Sequence, residues 1–478
     1  MGFEVLAVTS EAYPLIKTGG LADAAGALPA ALAQEDVSVR TMLPGYRAVM
    51  SALAKPRVVL DLPRHFGGAA RVLAAREAGL DLLVLDAPHL FDRPGGPYVA
   101  PGGGEWGDNA IRFAAFASAA ALAAQHVGVS AVHAHDWQAG LVPAYLRFAP
   151  KRIPCLFTIH NMAFQGKFPA SVFPTLGLPP QAFAREGLEY YGAVGFLKAG
   201  LWFADAINTV SPSYAEEILT PEGGMGLDGL LRGRAGDLHG ILNGLDVVDW
   251  NPETDRHLAA RFSAADTAPR AMNKAAVQKA FGLAVDPDVP LFAFIGRLAW
   301  QKGADLLLEA ARVLMDGGAQ LALIGSGDAA LEQACNAFAA AHPGRAGVFI
   351  GFDEGRARQV YGGADAMVVP SRFEPCGLVQ LSALRYGAPP VVARTGGLAD
   401  TIIDASPMAL AAGCATGVQV APGRADALAA GLRRALALFR DAPTWRAIRA
   451  RGMATDVSWG PSAKRYAALL KGIAARHG

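Results

Sequence analysis

Residues 370–401 read PSRFEPCGLVQLSALRYGAPPVVARTGGLADT, and this stretch decides the fold. The apolar run at 366–369 leads into it and stops at Pro370-Ser371-Arg372. A helix is expected after Pro375-Cys376-Gly377, a strand at 390–393 and a further helix start at Gly396-Gly397. Strands and helices alternating in this way build an open parallel sheet, whose reactive groups sit in the loops after the strands. Glu374 occupies such a loop. Gly377, Gly396 and Gly397 stand where helices begin, with backbone N–H groups expected to be open to an anion. A carboxylate beside anion seats suggests a sugar held next to a diphosphate, although each feature taken singly is also ordinary turn chemistry.

The hexapeptide Thr-Gly-Gly-Leu-Ala-Asp of residues 395–400 recurs unchanged at 18–23, again after an apolar strand and at a helix start. Two α/β halves presenting a similar loop are therefore expected. A chain of 478 residues exceeds what one core supports. Strand patterns at 3–9, 37–43, 80–86, 131–135, 155–159, 206–210 and 240–242 define the first half, with a hairpin at 57–62 and 71–75. Those at 291–295, 320–324, 347–351, 366–369 and 390–393 define the second. Proline, aspartate and arginine break the rhythm between them. The expected division is a first domain over 1–250, a crossing over 251–289, a second domain over 290–455 and a terminal helix within 456–478. In that helix Tyr466, Leu469, Leu470 and Ile473 share one face.

Hydrophobic residues make up 52% of the chain and charged ones 18%, the composition of a folded globular protein. A formal net charge of +1 gives no reason to expect nucleic acid or an anionic membrane as partner. The four cysteines have neither metal-ligand nor disulfide-scaffold spacing. No signal or transit peptide is read before the first strand, and the small-apolar run at 113–124 is too short to span a bilayer. A cytoplasmic protein is expected.

Five loops carry chemistry. Lys17 precedes the Gly19-Gly20 pair, so a cation and N–H groups face one point. His133-Ala134-His135-Asp136 ends a strand with both histidines on one face, which superficially resembles a metal cluster; no third ligand can be named, so a metal is rejected. Asp136 at the strand tip can accept hydrogen bonds from sugar hydroxyls. His160 and Asn161 end the next strand, and Asn243 follows another. Arg297 and Lys302 bracket the loop after 291–295, a fork and a point charge suited to a diphosphate. Gly325-Ser326-Gly327 lacks the third glycine of a dinucleotide fingerprint.

Taken in order, KTGGLAD, HAHDW, TIHNMAFQG, FLKAGL, NTVSPSYAEEI, GILNGLD with WNPETD, QKG, PSRFEPCGL and TGGLADT resemble the bacterial glycogen synthase and plant starch synthase family, over residues 17–401. The pattern SW-x-x-SA-x-x-Y from Ser458 to Tyr466 extends the match. The resemblance implies a GT-B fold: two Rossmann-like domains with parallel sheets facing a deep cleft, the C-terminal helix crossing back to the first domain. It implies retaining transfer of glucose from ADP-glucose to the non-reducing end of a glycogen or malto-oligosaccharide acceptor, without metal or cofactor. By the same resemblance His160, Glu374, Arg297, Lys302 and Asp136 are the catalytic set. Lys17, Gly19, Gly20, Asn161, Asn243, Phe352, Cys376, Gly377 and Leu378 are the donor-binding set, with Phe352 against the adenine. Related retaining transferases often carry a second glutamate eight residues after the first; here Ser382 stands there, as in glycogen and starch synthases. Retention then proceeds by front-face attack or through a transient covalent intermediate. A UDP-glucose-using synthase, another GT-B sugar-nucleotide enzyme and an inactive glucan-binding scaffold are the competing readings.

Overall fold

The computed structural model describes residues 2–477. The chain divides into two compact units, Met1–Asn243 with Trp459–Gly478, and Gly244–Ser458.

In the first unit the strands are β1 (Phe3–Val8), β2 (Val37–Pro44), β3 (Arg57–His65), β4 (Gly68–Glu77), β5 (Leu80–Asp86), β6 (Ala131–His135), β7 (Cys155–Ile159), β8 (Lys167–Pro169), β9 (Glu189–Tyr190), β10 (Ala193–Gly195), β11 (Ala206–Thr209) and β12 (Leu238–Gly240). Nine of them form one sheet in the order β12-β11-β7-β6-β1-β2-β5-β4-β3. From β12 to β5 all neighbours run parallel; β4 and β3 add an antiparallel hairpin at the edge. The parallel strands read as apolar runs because helices cover both faces: β6 and β7 are buried along their whole length. The expected strand at 240–242 lies two residues earlier, as β12.

The helix Asn109–Val127 is long and apolar enough to cross a bilayer, which corrects the expectation drawn from residues 113–124. It is a core helix: Phe113, Phe116 and its alanines are buried in the main cluster of this unit. The buried Arg112 donates to the carbonyls of Leu90 and Pro97, both at 2.9 Å, and so fixes the segment before it. The terminal helix Gly460–Ala475 packs Tyr466, Leu470 and Ile473 with Val5, Leu28, Ala131 and Leu156, while Leu469 lies at the margin. Asn208 Nδ2 donates to Tyr466 Oη at 2.8 Å.

In the second unit β13 (Leu291–Ile295), β14 (Gln320–Gly325), β15 (Ala346–Ile350), β16 (Ala366–Val369), β17 (Pro390–Ala393) and β18 (Val418–Val420) form a six-stranded sheet ordered β15-β14-β13-β16-β17-β18, parallel throughout. Residues 251–289, read from sequence as the crossing, lie inside this unit. Their prolines and charges build buried contacts instead of a linker. Asp255 accepts from Tyr386 Oη at 2.5 Å, and Arg358 pairs with Asp249 and Asp255 while lying over the Trp250 ring. Val277 of the helix Arg270–Ala280 packs with Leu258, Phe262 and Phe281. The WNPETD motif therefore serves the fold.

Candidate active site

In each unit one strand has neighbours whose chain connections run off in opposite directions, and the loops there part to leave a crevice. In the first unit that point lies between β1 and β6. In the second it lies between β13 and β16. Most of the residues predicted from sequence lie at the carboxyl ends of these strands or their neighbours.

At the first point Asp136 follows β6 with φ 55°, a left-handed conformation costly for a residue with a Cβ and found where surroundings enforce it. Its carboxylate accepts the backbone N–H of His160 at 2.7 Å, which ties the tip of β6 to the tip of β7. Burial pushes the carboxyl up to about 7, against the pull of the His160 and Asn161 N–H groups. Asp136 is thus a residue that fixes His160 and titrates near neutrality. His135 Nδ1 lies 3.0 Å from His160 Nε2, and His133 Nε2 lies 2.7 Å from Thr158 Oγ1. Burial holds His133 and His160 down to about 3, so the three imidazoles are neutral. Among the described residues no group of three His, Cys, Asp or Glu side chains is placed to hold a metal ion. Asn161 Oδ1 accepts the Ala163 N–H at 3.0 Å and shapes the following loop. Asn243 is buried, and its Oδ1 finds no donor among the described residues. A buried acceptor left in this state calls for a donor from solvent or ligand.

One residue was missed. Glu11, just after β1, is buried and accepts from the N–H of Thr18, from Thr18 Oγ1 at 2.6 Å and from Tyr98 Oη. It holds the loop that carries Lys17, Gly19 and Gly20. A glutamate directly after a strand and ahead of Thr-Gly-Gly was the available signal. Lys17 itself pairs with Asp23 at 2.7 Å, so reaching a ligand requires exchanging that partner. Gly19 and Gly20 are exposed, and a Cβ at Gly19 would meet nothing.

At the second point Lys302 Nζ donates to Glu374 Oε2 at 2.6 Å, across the divide between β13 and β16. Ser371 Oγ donates to the same oxygen at 2.8 Å. Glu374 is 6% exposed. The two loops are stitched further: Arg372 N–H donates to Gln301 O at 2.8 Å, Gln301 Nε2 to Phe373 O at 3.2 Å, and Arg372 pairs with Asp305 through both its terminal nitrogens. Arg297 is exposed, and its guanidinium makes no hydrogen bond or ion pair among the described residues. Phe352, after β15, is 73% exposed and so lies outside the core. Gly377 has φ 78°, and the side chain of Gln380 packs where its Cβ would be. Cys376 is buried, and Leu378 starts the helix Val379–Arg385.

The two copies of Thr-Gly-Gly-Leu-Ala-Asp differ in what they do. Gly397 N–H donates to Glu374 O at 3.1 Å and to Pro375 O at 3.2 Å, and a Cβ on Gly396 or Gly397 would overlap the Glu374 or Cys376 carbonyl. The expectation of an open anion seat at Gly396-Gly397 is corrected: this copy clamps the Glu374 loop. The copy at 18–23 leaves its glycines open.

Residues 4–233 match the starch synthase catalytic domain family, and residues 278–443 match glycosyl transferases group 1. The structure resembles the catalytic domain of starch synthase IV from Arabidopsis thaliana bound to ADP and acarbose, with a TM-score of 0.91 at 30% identity and 100% of both chains covered. Sucrose-phosphate synthase from Thermosynechococcus elongatus shares the fold, with a TM-score of 0.62 at 19% identity over 99% of this chain and 100% of that one. Two α/β units, each with loops converging at a switch point, define a glycosyltransferase of the GT-B class. The chain is 56% identical to the glycogen synthase of Acidiphilium cryptum over 477 residues, covering 99% of this chain and all of the relative. It is 55% identical to that of Rhodopseudomonas palustris strain BisB18, over 98% and 97% of the two. It belongs to the glycogen synthase family.

Proposed function

We propose that the enzyme transfers glucose from ADP-glucose to the non-reducing end of an α-1,4-glucan with retention of the anomeric configuration. The carrying observation is the Lys302–Glu374 pair across the β13/β16 switch point, with the unpaired Arg297 on the same loop. Arg297 and Lys302 neutralise the departing diphosphate, the electrostatic stabilisation that usually dominates such catalysis. In the second unit Glu374 is the group for sugar hydroxyls, the backbone of Gly377 with its neighbours Cys376 and Leu378 offers N–H groups to phosphate, and Phe352 offers its ring to the adenine. In the first unit Asp136, His160 and Asn161 are the groups for sugar hydroxyls, Asn243 offers its orphaned oxygen to a hydroxyl, and Lys17 with Gly19 and Gly20 offers a cation and N–H groups to phosphate.

In the proposed step the bond from the sugar C1 to the phosphate oxygen breaks and one from C1 to the acceptor oxygen forms on the same face. The acceptor proton passes to the departing oxygen. Both named carboxylates are already engaged, Glu374 with Lys302 and Ser371 and Asp136 with the His160 N–H, which supports front-face attack over a covalent intermediate. The same reading includes no metal or cofactor, no nucleic acid or membrane partner, and a cytoplasmic location. ADP as the nucleotide rests on the starch synthase neighbour, which is bound to ADP. The test is ADP release from ADP-glucose with glycogen after exhaustive chelation: full turnover supports the reading, and strict dependence on added metal contradicts it.

A further inference from the structure

The strands β9 and β10 are joined by two residues, Tyr191 and Gly192, with φ 48° and 74°. A two-residue hairpin with both positions left-handed is a turn that favours Asn-Gly, because a bulky side chain is strained there. Tyr191 is also 77% exposed, so its ring gains little from burial. Folding alone favours neither feature, and strain of this kind gathers at functional sites. The ring lies 5.0 Å from that of Tyr190, and Lys167 Nζ sits 5.3 and 5.8 Å from the two ring centroids. The β8-β10-β9 sheet is continuous with the candidate site, since β8 begins at the end of the loop that leaves His160-Asn161. Gly166 of that loop, φ 58°, lies against the Trp137 ring, and a second exposed aromatic, Phe164, belongs to the same loop.

We propose that Tyr191, supported by Tyr190 and Lys167, is a platform on which the acceptor glucan rests beyond the reacting sugar. This rests on the reading that the acceptor is a glucan. An exposed ring with Lys167 over it, on a turn where Glu189 Oε1 accepts the Gly192 N–H at 2.7 Å, suits a sugar, which offers an apolar face for stacking and hydroxyls for the charged groups; an apolar peptide would need a wider greasy surface.

The test is Tyr191→Asn, which installs a residue the turn favours. Thermal stability should equal or exceed that of the wild type. The acceptor KM for malto-oligosaccharide should rise about 2- to 12-fold, the loss of one aromatic contact, while the donor KM stays level. Electrophoresis through glycogen-containing gels should show weaker retardation of the variant. An unchanged acceptor KM and retardation overturn the platform, as does a variant of lowered stability whose donor and acceptor KM rise together. Wild type that is retarded by glycogen yet transfers no glucose overturns the proposed function; the platform then stands if Tyr191→Asn abolishes the retardation and falls if it does not.

Discussion

Lys302 and Arg297 share a loop but meet different surroundings, one paired to a buried carboxylate and one open to solvent. Arg297→Ala should therefore lower kcat by about 10²-fold with little change in stability, the scale for one transition-state charge contact. Lys302→Ala should lower kcat by a similar factor and also lower the melting temperature, because it leaves the buried Glu374 without its cation. Steady-state kinetics with parallel melting curves check this, and near-normal turnover in both would reduce them to surface charge. Phe352→Ala should raise the donor KM about 2- to 12-fold and leave the acceptor KM alone. The histidines make a separate pH prediction. His133 is buried with its pKa held at about 3, below the ordinary 6.5. The folded state thus binds fewer protons than the unfolded one between these values, and the stability this residue contributes is lost as pH falls from 6.5 toward 3. At pH 5 the loss is roughly 2 kcal/mol. His133→Gln should accordingly lose less melting temperature than wild type between pH 7.5 and pH 5, and equal losses would contradict the assignment. Arg297, Lys302 and Glu374 were legible because each stands in a loop directly after a strand. Glu11 also stands just after a strand, and that signal was passed over; what the sequence could not show is its distant partner Tyr98, brought to it only by folding.

The loops that carry these side chains are shaped by glycines whose roles sequence identity conceals. One hexapeptide occurs twice, yet Gly397 packs against the Cys376 carbonyl while Gly19 has open space in extended backbone. Gly397→Ala should displace the Glu374 loop, destabilise the protein by about 1–3 kcal/mol and abolish most activity. Gly19→Ala should leave the melting temperature unchanged. Melting curves for the pair decide it, and equal stability would contradict the clamp. The parallel strands were readable from apolar runs: β5, β6, β7, β13, β16 and β17 fall where the pattern put them. The β8-β10-β9 sheet was not, since strands of two or three residues carry no periodicity. Nor was the docking of WNPETD, because buried ion networks and solvated linkers use the same residue types.

Over the whole molecule, the chain leaves the first unit after Asn243 and returns at Trp459, so the terminal helix completes a core begun at β1. Removing residues 459–478 would expose Val5, Leu28 and Leu156 and take from Asn208 its Tyr466 partner; the truncated protein should fail to fold its first unit, as seen by lost thermal cooperativity and aggregation. A truncation melting like the full chain would contradict that role. The two-unit architecture was visible in the repeated strand pattern and the duplicated hexapeptide, whereas the points of division were hidden in segments rich in proline and charge. The central claim is a chemical one, that this fold moves glucose from a nucleotide sugar onto a glucan. Glucose incorporation into glycogen from labelled ADP-glucose and labelled UDP-glucose, measured side by side, tests it most directly. The account predicts incorporation from ADP-glucose well above that from UDP-glucose and dependent on added glycogen; incorporation that is equal or better from UDP-glucose, or absent from both, would contradict it.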